Sequence, residues 1–84
     1  MKYNVEYRGD LAMLKKICET YELAVIKETP TMIVIDDNDP PFLEGVSVEN
    51  RELSLFGLLD SELNDVGLGI SAGFIGKVEV TNDE

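Results

Sequence analysis

The first apolar residues of the chain alternate with single polar residues. Tyr3, Val5 and Tyr7 lie two positions apart, and a period of two predicts a β-strand with one buried and one solvated face. Gly9 ends the alternation, because a glycine has no side chain to pack and weakens a strand. We therefore predict a strand over residues 2–8.

From residue 11 the spacing of apolar residues changes to that of an amphipathic helix. Leu11, Leu14, Cys18 and Tyr21 recur three or four positions apart, which places them on one face of a helix of about three turns. Asp10 stands directly before this stripe, where its carboxylate can accept hydrogen bonds from the free amides of the first turn. This is the one full helix that the pattern predicts.

Two short apolar runs follow, separated by turn-forming residues. Residues 23–27 and 32–37 are similar in length, and residues 28–31 between them include Pro30. Runs this short are typical of strands, so we predict a hairpin. The four consecutive apolar residues from Met32 to Ile35 indicate that its second strand is buried on both faces.

The second half of the chain has weaker patterns. Apolar residues alternate over only three residues at a time there, which predicts short strands. The predicted elements are a loop over residues 37–45 with Phe42 and Leu43 folded onto the core, a hairpin of residues 46–48 and 53–55, a helical turn over residues 60–66 capped by Asp60 or Ser61, and a hairpin of residues 68–70 and 78–80 turning at Ala72–Gly73.

The predicted order of elements is β-α-β-β-β-β-β-β in a single domain of residues 1–84, because a chain this short can fill only one core. One helix cannot cover both faces of a parallel sheet. The predicted fold class is therefore α+β, with a mostly antiparallel curved sheet, open or partly closed, and one N-terminal amphipathic helix packed on one face.

The charge of the chain is concentrated in its second part. The sequence holds 17 acidic and 7 basic residues, for a net charge of −10. Residues 1–35 carry five of each sign, so the entire net charge comes from residues 36–84. Small domains usually carry a net charge of about 2–8 in magnitude. Because this field repels nucleic acid and anionic membranes and attracts basic surfaces, we expect a basic protein partner and neither of the other two.

The chain has one cysteine and no histidine. Cys18 alone cannot form an intramolecular disulfide, which fits a reducing compartment. No apolar leader or membrane-length apolar run is visible, so we expect a soluble, cytoplasmic protein. Without histidine the commonest general base is missing, and neither Cys18 nor the serines have their usual activating partner. We expect no enzymatic activity and no cofactor.

Three aspartates follow the most apolar run. Asp36, Asp37 and Asp39 carry hard oxygen ligands suited to Mg²⁺ or Ca²⁺, but an EF-hand loop is excluded, because a proline falls at its fifth position and the required glycine is missing. A solvated turn and a protein-contact surface are the other two interpretations. We predict no bound metal, because clustered acids are more often solvated than liganding.

Two short motifs have structural explanations. Residues 67–72 match the letters G-x-G-x-x-A of a dinucleotide-binding loop, but no buried strand precedes them and too few residues follow for the β-α-β unit. Glycines that allow close packing or a bulge in a strand explain them better. Arg8-Gly9-Asp10 spells an adhesion tripeptide, which we attribute to coincidence, because Asp10 is placed to cap the helix.

The acidic residues predicted in loops, turns and hairpin ends are the candidate binding residues. If those segments lie on one side of the molecule, the carboxylates form one field that a basic groove would accept. Otherwise they only keep a small protein in solution. The predicted partner-binding residues are Asp36, Asp37, Asp39, Glu44, Glu49, Glu52, Asp60, Glu62 and Asp65.

Three functions are compatible with these patterns. The first is a small acidic binding protein or inhibitor that docks on a basic surface of a partner. Where that surface is a nucleic-acid-binding groove, the carboxylates would stand in for phosphates, as in nuclease inhibitors, anti-defence proteins and toxin immunity proteins. The alternative is a structural subunit that associates with copies of itself through sheet edges. The third and weakest is a metal-dependent enzyme that uses Asp36, Asp37 and Asp39.

Overall fold

The computed structural model describes residues 1–38 and 40–81. Its secondary structure in that part of the chain is a four-stranded sheet, two α-helices and two single turns of 3₁₀ helix. The elements are β1 (Lys2–Gly9), α1 (Leu11–Thr20), β2 (Ala24–Glu28), β3 (Met32–Asp36), a 3₁₀ turn (Pro41–Leu43), α2 (Val48–Leu63), a second 3₁₀ turn (Val66–Leu68) and β4 (Gly73–Val80).

The strands are arranged in the order β2-β3-β1-β4, and each pair of neighbours is antiparallel. Helix α1 connects β1 to β2 across β3, and α2 connects β3 to β4 across β1. The chain is therefore two interleaved β-α-β units, the split β-α-β topology. The predicted antiparallel α+β class is confirmed, and the sheet is open, with β2 and β4 at its edges. The predicted single N-terminal helix and seven strands are wrong, because the described residues form two α-helices and four strands.

Strand β1 lies between β3 and β4, and its apolar face packs against the hydrophobic core. Tyr3, Val5 and Tyr7 are buried, as the alternation predicted. They pack with residues of β3, β4 and both helices in one cluster. The opposite face of the sheet, which we call the open face, carries the alternate residues, and those are half-buried or exposed.

The predicted first helix and first hairpin are both confirmed. Asp10 accepts a hydrogen bond from the Met13 amide at 3.2 Å and starts α1. Strand β2 pairs with β3, and the Thr29 amide donates to the Met32 carbonyl at 2.7 Å across the turn. The prediction that β3 is buried on both faces is wrong, because Met32 and its alternate neighbour Val34 are only half-buried on the open face.

The predicted hairpin of residues 46–48 and 53–55 is wrong, because this segment belongs to α2. The Ser47 hydroxyl accepts from the Asn50 amide at 3.4 Å and caps the helix. Leu55, Leu59 and Leu63 are spaced four residues apart and face the core, which is a helical period. The three-residue alternations in this segment fit a helical period as well as that of a strand, so they could not distinguish a helix from a strand.

The predictions for residues 60–66 and 67–80 are also wrong. Asp60 and Ser61 do not begin a helical turn but lie near the end of α2. Only residues 73–80 form a strand. The Ile70 amide donates to the Asp65 carbonyl and the Ala72 amide to the Leu63 carbonyl, so this stretch folds back on the end of α2 and does not pair with β4.

The 3₁₀ turn after β3 separates two neighbouring apolar residues. We predicted that Phe42 and Leu43 both fold onto the core. Leu43 is fully buried, but Phe42 is 48% exposed. One side of this turn therefore packs inward, and the other presents an aromatic ring to solvent.

Two glycines allow the end of β1 to touch the start of β4. Gly9 and Gly73 have φ of 134° and 145°, which side chains rarely tolerate. A Cβ atom on either residue would overlap a backbone carbonyl oxygen of the other strand or its flank, at Ala72 and Arg8 respectively. The Asp10 amide then donates to the Ala72 carbonyl at 2.7 Å, which ties the start of α1 to β4.

Candidate functional site

The acidic cluster after β3 is partly a structural element of the core. Asp37 is 1% exposed, and it accepts from the Tyr3 hydroxyl at 2.6 Å. The Arg51 guanidinium lies 3.5 Å from the same carboxylate, and the amino group of Met1 lies 3.2 Å from it. The expectation of a solvated turn is therefore wrong for this residue, because the buried carboxylate joins β1, β3 and α2.

The neighbours of Asp37 differ from it. Asp36 is half-buried and accepts from the Asn38 amide at 2.9 Å, the local turn bond that aspartate favours. Asp39 lies outside the described residues. Among residues 1–38 and 40–81, no three acidic or cysteine side chains are grouped as metal ligands.

Two of the predicted binding residues on α2 hold the edge of the sheet. Glu52 accepts from the Val80 amide at 2.7 Å, and Asp60 accepts from the Ile75 amide at 3.2 Å. Both amides point away from β1 towards the open edge of the sheet, and an additional strand at that edge would otherwise accept hydrogen bonds from them. These carboxylates lie on a helix and not in loops, and they occupy outward-facing donors of β4.

The remaining candidates lie around α2. Glu62 is exposed and accepts from the Tyr21 hydroxyl at 2.7 Å, and this hydrogen bond raises the pKa of Tyr21. Asp65 accepts from the Leu68 amide at 3.2 Å. Glu44, after the 3₁₀ turn, and Glu49, in the first turn of α2, are exposed.

The two sides of the molecule differ in charge. We use the name helical layer for α1, α2 and residues 40–47 and 64–72, which flank α2. The open face is nearly balanced, and its charged residues are Lys2, Arg8, Lys27, Lys77, Glu6, Asp36 and Glu79. It thus holds four of the seven basic residues, whereas most of the described acidic residues lie on the helical layer and the turns beside it.

The helical layer also has an apolar groove. It is a hollow of about 370 Å³ lined by Tyr21, Phe42, Ser54 and Leu58. Sequence reasoning missed these residues as a group. The available signal was an excess of apolar residues in α2, since that segment contains Leu58 in addition to the stripe of three leucines that faces the core.

Two other hollows have mixed linings. One, of about 370 Å³, lies between α2 and β4 and includes Glu49, Leu53 and Lys77. The other, of about 470 Å³, lies on the open face and includes Glu6, Arg8 and Phe74. Each therefore combines an apolar residue with charges of both signs.

The residues considered for nucleophilic or nucleotide chemistry have structural positions. Cys18 is fully buried, and burial raises the pKa of its thiol to about 11, which leaves it protonated and unreactive at neutral pH. Residues 67–72 comprise the last two residues of the second 3₁₀ turn and a loop that leads to β4. Neither a strand before them nor a helix after them supplies the setting of a dinucleotide-binding loop.

No protein-family model matches the sequence, and no curated protein or solved structure is significantly similar to it. None of the helices in residues 1–38 and 40–81 is both long and apolar enough to cross a membrane.

Proposed function

We propose that this protein is a small acidic binding protein that docks, through its helical layer, on a basic surface of a partner protein. The observation that carries the proposal is the separation of charge between the two sides of the molecule. A net charge of −10 spread evenly would only oppose association. Most of the described acidic residues lie on one side, and such a concentration gives that side a preferred partner of opposite sign.

Glu44, Glu49 and Glu62 are the candidate residues best placed to meet that partner. All three are exposed on the helical layer. Asp37, by contrast, has its carboxylate inside the protein, and Glu52 has a hydrogen bond to β4. The partner-binding set that we propose is therefore smaller than the set predicted from the sequence.

The proposal includes inhibition of a protein that itself binds nucleic acid. A groove that accepts phosphates is a basic surface, and exposed carboxylates would compete for the same lysine and arginine side chains.

Association through sheet edges has less support. The outward amides of Ile75 and Val80 on one edge already donate to carboxylates of α2. The other edge strand, β2, is five residues long and irregular between Val25 and Lys27. Short, bulged or covered edges are the devices by which proteins avoid pairing with copies of themselves.

The test is capture of partners at low salt from a nuclease-treated lysate of the source organism, followed by binding measurements on each purified candidate. We expect a basic protein whose affinity falls steeply with ionic strength, because exposed charges are screened. Glu44→Gln with Glu49→Gln should weaken binding. The matched control is Glu6→Gln with Glu79→Gln, which changes the net charge equally but on the open face. Equal weakening by both pairs, or an affinity independent of salt, would count against the proposal.

A further inference from the structure

We infer that the apolar groove of the helical layer binds one apolar side chain from a basic peptide segment of the partner. This inference rests on the proposed function, because that function supplies the basic partner. It adds that the contact with the partner is not made by charge alone. An apolar side chain of the partner also enters the groove between the end of α1, the 3₁₀ turn after β3 and α2.

The groove is built from residues that the core leaves outside. Leu43 fills the core while the adjacent Phe42 stands 48% exposed at the groove. On α2, Ser54 and Leu58 are one helical turn apart, next to the buried stripe of that helix. The hydrophobic effect favours covering such a surface, so burial of a partner's apolar side chain there would stabilise the complex.

One carboxylate contacts a residue of the groove, and two more acidic residues are close in sequence to residues that line it. Glu62 follows Leu58 by one turn, and its carboxylate contacts the Tyr21 hydroxyl at 2.7 Å. Glu22 is adjacent to Tyr21 in sequence, and Glu44 lies two residues after Phe42.

The basic residue of α2, Arg51, is directed towards other groups. The Arg51 Nε donates to the Val46 carbonyl at 3.0 Å, and the guanidinium also pairs with Asp37. An apolar hollow beside the Glu62 carboxylate, on the acidic helical layer, therefore complements a segment in which lysine or arginine flanks a protruding apolar residue.

The size and surroundings of the groove select this occupant. Its volume of about 370 Å³ is near the lower end of the range of about 300–1,000 Å³ for ligand pockets, so it suits one large side chain. A second copy of this chain is a poor occupant, because it would bring a second charge of −10 to the acidic helical layer. Laying one face of a basic amphipathic helix into such a groove is a known mode of peptide recognition.

The experiment uses a synthetic amphipathic peptide of lysine and alanine with one central tryptophan. The protein contains no tryptophan, so the fluorescence of the peptide reports its own burial. Two control peptides are used. In one, serine replaces the tryptophan, and in the other, glutamate replaces every lysine. Binding is measured on the full chain at low and high salt, with amide chemical shifts recorded to locate the site.

We expect a blue-shifted tryptophan emission and saturable shifts centred on Tyr21, Phe42, Ser54 and Leu58. The serine peptide should bind at least tenfold more weakly, and the glutamate peptide should not bind. Phe42→Ser should weaken the tryptophan peptide at least tenfold. Phe74→Ser should leave it unchanged, because Phe74 is exposed to a similar extent, 52%, but lies on the open face.

The outcomes separate the inference from the proposed function. If the tryptophan and serine peptides bind equally and both weaken with salt, basic docking stands and the anchor is refuted. If the glutamate peptide binds as well as the lysine peptide, the groove is a general apolar site, which refutes the basic partner and with it the proposed function. If Phe74→Ser weakens binding as much as Phe42→Ser, the location is refuted. If no peptide binds, both fail.

Discussion

At the scale of single residues, the buried carboxylate of Asp37 has the clearest energetic consequence. Asp37→Ala would remove the acceptor of the Tyr3 hydroxyl and a charged partner of the Arg51 guanidinium. Breaking such a buried pair costs about 3–5 kcal/mol. We expect urea denaturation to show a loss of that size in the free energy of unfolding. Glu44→Ala, at an exposed acid, should stay within about 0.5 kcal/mol of the wild type.

Two glycines should respond to alanine in opposite directions. Gly57 lies inside α2 with open space around it, so Gly57→Ala should raise the free energy of unfolding by about 0.5–1 kcal/mol. Gly9 has a positive φ and touches the backbone at Ala72, so Gly9→Ala should lower it by more than about 1 kcal/mol. Thermal melts of the two variants check the direction of both changes in stability. A Gly9→Ala protein as stable as the wild type would contradict the close contact between the end of β1 and the start of β4.

The buried thiol of Cys18 predicts a loss of stability at alkaline pH. Burial raises the pKa of this thiol from its ordinary value of 9.0 to about 11. Since the unfolded chain ionises first, the stabilisation is complete below pH 9 and is lost as the pH rises towards 11. Denaturation curves between those pH values should show a smaller loss for Cys18→Ala than for the wild type. Tyr3 adds to the loss in both proteins, because burial and Asp37 raise its pKa too.

At the scale of elements, local patterns predicted the first half of the fold well. The alternation of β1, the stripe of α1 and the short runs of β2 and β3 each extend over enough residues to fix a period. In α2 the alternations around Ser47 and Ser54 were too short to do so. Ser47 as a cap and the four-residue spacing of Leu55, Leu59 and Leu63 were the better signals.

The candidate site was less predictable, because it depends on pairings distant in sequence. Composition identified the acidic residues, but only the contact with Tyr3 shows that Asp37 is internal. The roles of Glu52 and Asp60 require β4 to lie beside α2. The groove likewise combines residues from α2, the 3₁₀ turn and the residue after α1, and no local period brings these together.

Glu52 and Asp60 should limit self-association through β4. Glu52→Ala with Asp60→Ala would free the outward amides of Val80 and Ile75, which are templates for another strand. We expect this double variant to form dimers or larger species at high concentration in analytical ultracentrifugation. Glu49→Ala with Glu62→Ala changes the charge of the same helix equally and should remain like the wild type. If both pairs associate alike, reduced repulsion is the cause.

At the scale of the whole molecule, the net charge of −10 opposes compaction. Salt should therefore stabilise the fold, because the Debye length falls from about 30 Å at 0.01 M to about 3 Å at 1 M. We expect the melting temperature to rise between these concentrations of NaCl. The rise should be smaller in Glu44→Gln with Glu49→Gln, which carries less repulsion. A melting temperature that falls with salt would mean that attractive ion pairs dominate.

The position of β1 in the middle of the sheet has a consequence for synthesis on the ribosome. Among the described strands, β2 and β3 are the one pair of neighbours that are also consecutive in sequence. Tyr3 of β1 instead pairs with Ile35 on one side and with Val80 on the other. Within this sheet, the strand that is synthesised first is thus paired on one side by the strand that is synthesised last. Until β4 has left the exit tunnel, the apolar side of β1 lacks one of its neighbours, and contacts that join distant parts of a chain form slowly. The nascent chain therefore has to avoid aggregation from the synthesis of β1 until β4 has emerged, and the repulsion between acidic copies is an advantage in that period.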